Sequence, residues 1–223
     1  MVENKDCWLK STCNGIDCNK FCMRLYRLNT LYDNAMIPLN QRYPITLGLD
    51  QNRIDANVFD ELYDYMKSIE THVNNGDNLY LWSIITGNGK TSWSLKIAQE
   101  YLMNTWYKNN KDCTVLFINV PRYLLALKDN ISNKNDYISH IKENVLRADL
   151  VIWDDIATKS ATSFEHENLL SIIDTRIADS KSNIYTSNLS PEELHNFMGD
   201  RLFSRIYRDS IAYEFKGKDK RNC

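Results

Sequence analysis

Apolar positions recur at helical spacing between Asp55 and about Val73, where Val58, Phe59, Leu62, Tyr65, Met66 and Ile69 mark one face and Asn74-Asn-Gly-Asp77 stops the run. A block of strand character, Leu79-Tyr-Leu-Trp82, follows at once, and the chain then alternates. The pattern predicts a helix from Lys90 to about Tyr107, a strand over Thr114–Val120, helices over 121–128 and 136–146, a strand over Asp149–Trp153, a helix over about 164–179, a strand over Asn183–Thr186 and a basic helical end. Near-continuous apolar strands between helices mark a parallel sheet covered on both faces, so the fold class is α/β. Upstream, Met23-Arg-Leu-Tyr-Arg-Leu28 suits a short helix, while Pro38, Pro44 and the stretch to Gln51 read as extended. The organisation expected is a small cysteine-rich segment over 1–35, a linker over 36–54 and one main domain over 55–223.

The first strand runs into Ser83-Ile-Ile-Thr-Gly-Asn-Gly-Lys-Thr-Ser92. Gly87 and Gly89 let the backbone around Asn88 turn its N–H groups inward, and Lys90, Thr91 and Ser92 open a helix whose N-terminus carries partial positive charge. This reads as a phosphate-binding loop for a triphosphate, with Lys90 as the phosphate-binding ammonium and Thr91 as a magnesium-binding hydroxyl. Ile84 replaces the first glycine of the full pattern.

The strand Leu150-Val-Ile-Trp153 ends in two carboxylates, Asp154 and Asp155, at the edge where α/β sheets bind ligands. Alone, such a pair is more often a solvated loop. With a phosphate loop upstream it reads as a Walker B strand, Asp154 holding magnesium with Thr91 and Asp155 orienting the attacking water. Asp155 is one methylene shorter than the glutamate usual there, which points to slow or conditional hydrolysis. Asn188 is either a donor to the γ-phosphate or attacking water, the role called sensor 1, or the cap of a helix starting near Ser190-Pro-Glu-Glu193. Arg201 and Arg205, followed by Arg208, either pair with nearby carboxylates or reach a neighbour's γ-phosphate as an arginine finger.

Cys7, Cys13, Cys18 and Cys22 crowd into one short segment. Four thiolates can close a tetrahedral zinc shell and fold a segment too small to fold by itself; the Cys-x5-Cys-x4-Cys-x3-Cys spacing leaves an iron–sulfur cluster and unliganded thiols as alternatives. With 27 basic and 29 acidic residues the formal charge is −2, so any nucleic-acid contact must be local. The run Lys216-Gly-Lys-Asp-Lys-Arg221 is one candidate for such a contact and otherwise a solvated stretch. No uninterrupted apolar run approaches the length of a membrane span and the first residues lack a signal-peptide core, so a cytosolic protein with no membrane partner is expected.

Taken together, Leu79-Tyr-Leu-Trp82 leading to Gly-Asn-Gly-Lys-Thr91, Trp153-Asp-Asp155, Thr186-Ser-Asn188 and Gly199-Asp-Arg-Leu-Phe-Ser-Arg205 resemble the DnaC/DnaI-type helicase loaders, in particular the phage-encoded branch of that AAA+ family, over roughly residues 50–215. The resemblance implies a P-loop NTPase with a five-stranded parallel sheet flanked by helices. It also implies Lys90 and Thr91 as the Walker A pair, Asp154 and Asp155 as Walker B, Asn188 as sensor 1, and Arg201 or Arg205 as the finger. Implied further are slow, assembly-dependent ATP hydrolysis with Mg2+, and a DnaB-type hexameric replicative helicase bound through the zinc-containing N-terminal region. Contact with single-stranded DNA, oligomeric assembly on the helicase, and a place in the bacterial host cytosol if phage-encoded complete the expectation. Two other readings stay open: a nucleotide-sensing adaptor or inhibitor with little turnover, and a transposition helper ATPase, whose core looks alike.

Overall fold

The computed structural model describes residues 7–10, 13, 18–19, 21–42, 45, 47, 53–129, 135–157 and 163–220. At its centre lie five parallel strands, β1 (Asn78–Trp82), β2 (Val115–Asn119), β3 (Leu150–Asp154), β4 (Ser182–Ser187) and β5 (Ser210–Glu214), in the spatial order β2-β3-β4-β1-β5. The helices are α1 (Met23–Asn34), α2 (Ala56–Lys67), α3 (Ile69–Asn75), α4 (Lys90–Thr105), α5 (Val120–Asp129), α6 (Asp136–Asn144), α7 (Ser163–Ala178) and α8 (Pro191–Phe203).

Successive strand residues point to opposite faces and feed two cores. Leu79, Leu81, Phe117, Leu150, Ile152 and Ile184 join a cluster with residues of α1 to α4. On the other face, Tyr80, Leu116, Ile118, Val151, Trp153 and Tyr185 pack with residues of α5 to α8. Each large apolar side chain fully buried this way is worth about 1.5–3 kcal/mol, which is why the strands read as continuous apolar runs. Leu28, Leu31 and Tyr32 of α1 enter the first cluster, and the Ala35 carbonyl accepts the Phe117 N–H at 2.8 Å along the outer edge of β2.

Two expectations are corrected. The single helix over 55–73 divides at Ser68 (φ −110°, ψ 21°), whose hydroxyl donates to the Asp64 carbonyl at 3.3 Å and competes with the helical ladder. The second piece, α3, ends at Gly76 (φ 76°), where an added Cβ would lie 2.7 Å from the Ser180 carbonyl oxygen, so glycine is required. The basic helical end, in turn, kinks at Gly199, passes through a π-helical turn over Ser204–Arg208 and becomes the fifth strand. As an edge strand β5 buries little, and it lacks the apolar run that announces the other four.

Arg176 of α7 locks helix and sheet together. Fully buried, it donates to the carbonyls of Val145 (2.6 Å), Ala148 (2.9 Å) and Ser182 (2.5 Å) and to Asn183 Oδ1 (2.7 Å). Burial pushes its guanidinium down to about 10. The carboxyl ends of β1, β2, β3 and β4 meanwhile bring residues 83–89, Asn119, Asp154–Asp155 and Asn188 to one edge of the sheet.

Candidate nucleotide and metal site

β1 delivers the chain into a loop, residues 83–89, that ends at the N-terminus of α4. Gly87 (φ 71°) and Gly89 (φ 109°) adopt left-handed backbone, which turns the loop back toward the helix. Ile84 has no positive φ and is 68% exposed, so the loop closes without the first glycine of the full pattern. Asn88 is fully buried; its Nδ2 donates to Ser83 Oγ at 2.7 Å and to the Phe215 carbonyl at 3.2 Å. The Lys90 ammonium, also buried, donates to the Ile85 carbonyl at 3.0 Å and to Asn88 Oδ1 at 3.2 Å. These are neutral acceptors that phosphate oxygens would replace with a stronger, charge-assisted bond.

At the foot of the loop, the Thr91 hydroxyl donates to Asp154 Oδ1 at 2.7 Å. The Thr186 hydroxyl donates to the same oxygen at 2.9 Å, and Asn119 Nδ2 donates to Oδ2 at 3.2 Å. The buried carboxylate is thereby oriented by donors from α4, β4 and β2. A hydroxyl and a carboxylate side by side at a phosphate loop are the hard oxygen donors that magnesium takes, so the residues present fit that ion. Ser92 is half-buried in the first turn of α4. A cleft of about 390 Å³ opens beside Thr91 and Asp154, with Asn119, Arg122, Tyr137 and Gln41 on its walls.

Asp155 follows in left-handed backbone (φ 55°), its N–H held by Thr186 Oγ1 at 2.9 Å. Asn188 Nδ2 donates to its carboxylate at 2.9 Å. Burial first, and then the charge of Asp154, raise its pKa above 3.8; the Asn188 hydrogen bond and the Lys90 charge pull it back. Arg201 and Arg205 meet elsewhere, on Asp174 of α7: Arg201 donates to Oδ2 at 2.9 Å, Arg205 Nε donates to Oδ1 at 2.6 Å, and Arg205 also reaches Asp209 at 3.4 Å.

Gly87, Asn88, Gly89, Lys90, Thr91, Asp154, Asp155 and Asn188 are thus gathered at one sheet edge, while the two arginines form a separate cluster. Asn119, Thr186 and Asp174 are the residues that sequence reasoning gave no role. Asn119 carried a signal: it is a polar residue closing an apolar strand, and it lies in register with Asp154.

The cysteines do not complete the expected shell. Cys7, Cys13, Cys18 and Cys22 are half-buried free thiols, and among the described residues no group of three or more Cys, His, Asp or Glu is arranged to hold a metal ion. Cys7 packs against the first core, and Cys22 immediately precedes α1. Among the described residues, no helix is long and apolar enough to cross a membrane.

Solved structures share this fold. The crystal structure of the DnaC helicase loader matches with a TM-score of 0.62 at 17% identity, over 80% of this chain and 98% of that one. A putative primosome component from Streptococcus pyogenes serotype M3 matches at 0.62 and 18% identity, over 86% and 98% of the two chains. The replication initiator DnaA bound to AMPPCP and single-stranded DNA matches at 0.57 and 18% identity, over 74% and 47%. At identities this low the likeness is one of fold, the five-stranded parallel sheet flanked by helices. No curated protein matches the sequence. The family model described as IstB-like ATP binding protein matches residues 53–216, the stretch that contains the phosphate loop, both carboxylates and Asn188, and the chain belongs to that family.

Proposed function

We propose that the chain is an ATP-dependent loader of a DnaB-type hexameric replicative helicase onto single-stranded DNA. The observation that carries the reading is the Thr91–Asp154 contact of 2.7 Å beneath a phosphate loop, with Asp155 and Asn188 paired beside it. In this reading Lys90 leaves the Ile85 carbonyl to hold the phosphates, and Gly87, Asn88 and Gly89 shape the cradle. Thr91 and Asp154 hold magnesium, which when bound supplies positive charge for the phosphate oxygens. Asp155 accepts a hydrogen bond from the attacking water, and Asn188 keeps that carboxylate oriented. Arg201 or Arg205 is released from Asp174 to serve a neighbouring subunit, which makes turnover depend on assembly.

The partner half rests on other support. The fold is shared with the DnaC helicase loader, and with a DnaA solved on single-stranded DNA. Phe21 (76% exposed), Met23 (70%) and Tyr26 (70%) gather at the start of α1 around a shallow apolar hollow, a face suited to a protein partner. The proposal does not rest on zinc, since among the described residues no group of three or more Cys, His, Asp or Glu is arranged to hold a metal ion. Light scattering of the chain mixed with its replicative helicase should show a complex whose mass responds to Mg-ATP; no ATP-influenced co-assembly would overturn the proposal.

The family match favours a second reading, a transposition helper ATPase. ATP-dependent assembly on duplex DNA without any helicase would select it. If the unmodified chain releases no phosphate with DNA and helicase both present, a nucleotide-sensing adaptor is the better description.

A further inference from the structure

We propose that residues 215–220 form a nucleotide-responsive strap on the phosphate loop, anchored by Asp55 as its positioning residue. The segment leaves β5 with the Phe215 N–H donating to the Trp82 carbonyl at 2.9 Å, and the Phe215 carbonyl accepts Asn88 Nδ2 at 3.2 Å. Asp55, 4% exposed, makes no side-chain cap to the helix it precedes. Its two oxygens instead accept the Lys216 N–H at 2.7 Å and the Gly217 N–H at 2.9 Å. The strap then returns to the loop, where the Lys220 N–H donates to the Gly87 carbonyl at 3.0 Å and the Lys220 ammonium lies 4.7 Å over the Phe59 ring.

Both attachments to the loop are therefore made at residues that shape the phosphate cradle, Gly87 and Asn88. Asn88 is also the residue whose Oδ1 now holds the Lys90 ammonium, so moving Lys90 onto a phosphate changes the bonding of the same side chain that holds Phe215. Charge acts in the same direction. The strap carries Lys216, Lys218 and Lys220 against Asp219, and although Lys216 pairs with Glu214 at 3.3 Å, the segment remains cationic beside a loop built for a polyanion. A bound triphosphate draws the strap tighter, and by reciprocity a well-anchored strap raises nucleotide affinity.

The inference rests on the ATP reading of the loop, and the test separates the two. Backbone amide exchange over 215–220 is followed in the full chain with and without the magnesium complex of AMPPCP, alongside its binding constant. Exchange should slow about tenfold on binding, within the range of coupling between linked sites. In Asp55→Asn the nucleotide should bind about tenfold more weakly and the slowing should vanish, with turnover at saturating ATP unchanged. The Lys218→Ser/Lys220→Ser double variant leaves Asp55 and the start of α2 intact, and should weaken binding in a salt-dependent way. Failure of the unmodified chain to bind nucleotide would remove the loop reading itself. Binding with unchanged exchange over 215–220, or an Asp55→Asn variant that loses only thermal stability, would overturn the strap alone.

Discussion

Asn119 donates its side-chain amide to Asp154 across 3.2 Å from the strand next in register, and its Oδ1 accepts the Arg122 N–H at 3.2 Å. One side chain thus links the carboxylate placed for magnesium to the first turn of α5. Partners that orient a metal ligand typically matter by about 10–100-fold in affinity or activity. Asn119→Ala should raise the Mg2+ concentration needed for half-maximal nucleotide turnover by about tenfold, at the low end of that range. Titrating Mg2+ at fixed ATP checks it, and an unchanged midpoint would limit Asn119 to capping α5.

The Asp155–Asn188 pair predicts a pH effect with a definite sign. Burial and the neighbouring Asp154 hold the Asp155 carboxyl above 3.8, so the acid limb of turnover lies above the ordinary aspartate range. Asn188 donates to the ionised form, and Asn188→Ala should move that limb further upward. For stability the sign is opposite: the contribution of a raised carboxyl is fully present below 3.8 and is lost as pH rises through its folded value. Rate–pH profiles of the two proteins decide the first point and urea midpoints across acid pH the second.

Arg201 and Arg205 hold Asp174 through exposed or half-exposed ion pairs. Removing either guanidinium should change unfolding free energy by less than about 1 kcal/mol. Turnover in the helicase-bound assembly should nevertheless fall by about 10³ for whichever arginine serves a neighbour. Mixing that variant with Lys90→Ala subunits, which keep both arginines but lack the phosphate-binding ammonium, should restore part of the activity. A mixture with no recovery would argue against action in trans.

Arg176 is a structural counterpart to those surface arginines. Replacing it with methionine leaves the Val145, Ala148 and Ser182 carbonyls without the guanidinium donor and Asn183 Oδ1 with only the Trp153 indole N–H at 3.0 Å, and the expected loss is about 3–5 kcal/mol in denaturant unfolding. A loss below about 1 kcal/mol would mean that water takes over those acceptors.

Docking through α1 can be tested without touching either core. Phe21→Ser combined with Tyr26→Ser removes two exposed rings and should weaken association with the helicase by about 2 kcal/mol or more, with the unfolding midpoint unchanged. Unaltered binding would move the partner surface elsewhere on the chain.

Much of this protein is determined by local sequence, because local chemistry is specific there. The apolar runs at 79–82, 115–118 and 150–153 can be buried on both faces as strands of a helix-covered sheet, and Gly87-Asn-Gly-Lys-Thr91 after such a strand reads as a phosphate cradle. Asp154, Asp155 and Asn188 could be placed at the same edge because parallel strands present their carboxyl ends together. Tertiary structure decided the rest, because those contacts join residues far apart in the chain. Asn119 and Thr186 find Asp154 only when β2 and β4 flank β3. Arg201 and Arg205 settle on Asp174 only when α7 packs against α8. Asp55 meets residues 216 and 217, more than half the chain away, through backbone N–H groups that every residue but proline carries and that no sequence pattern can distinguish.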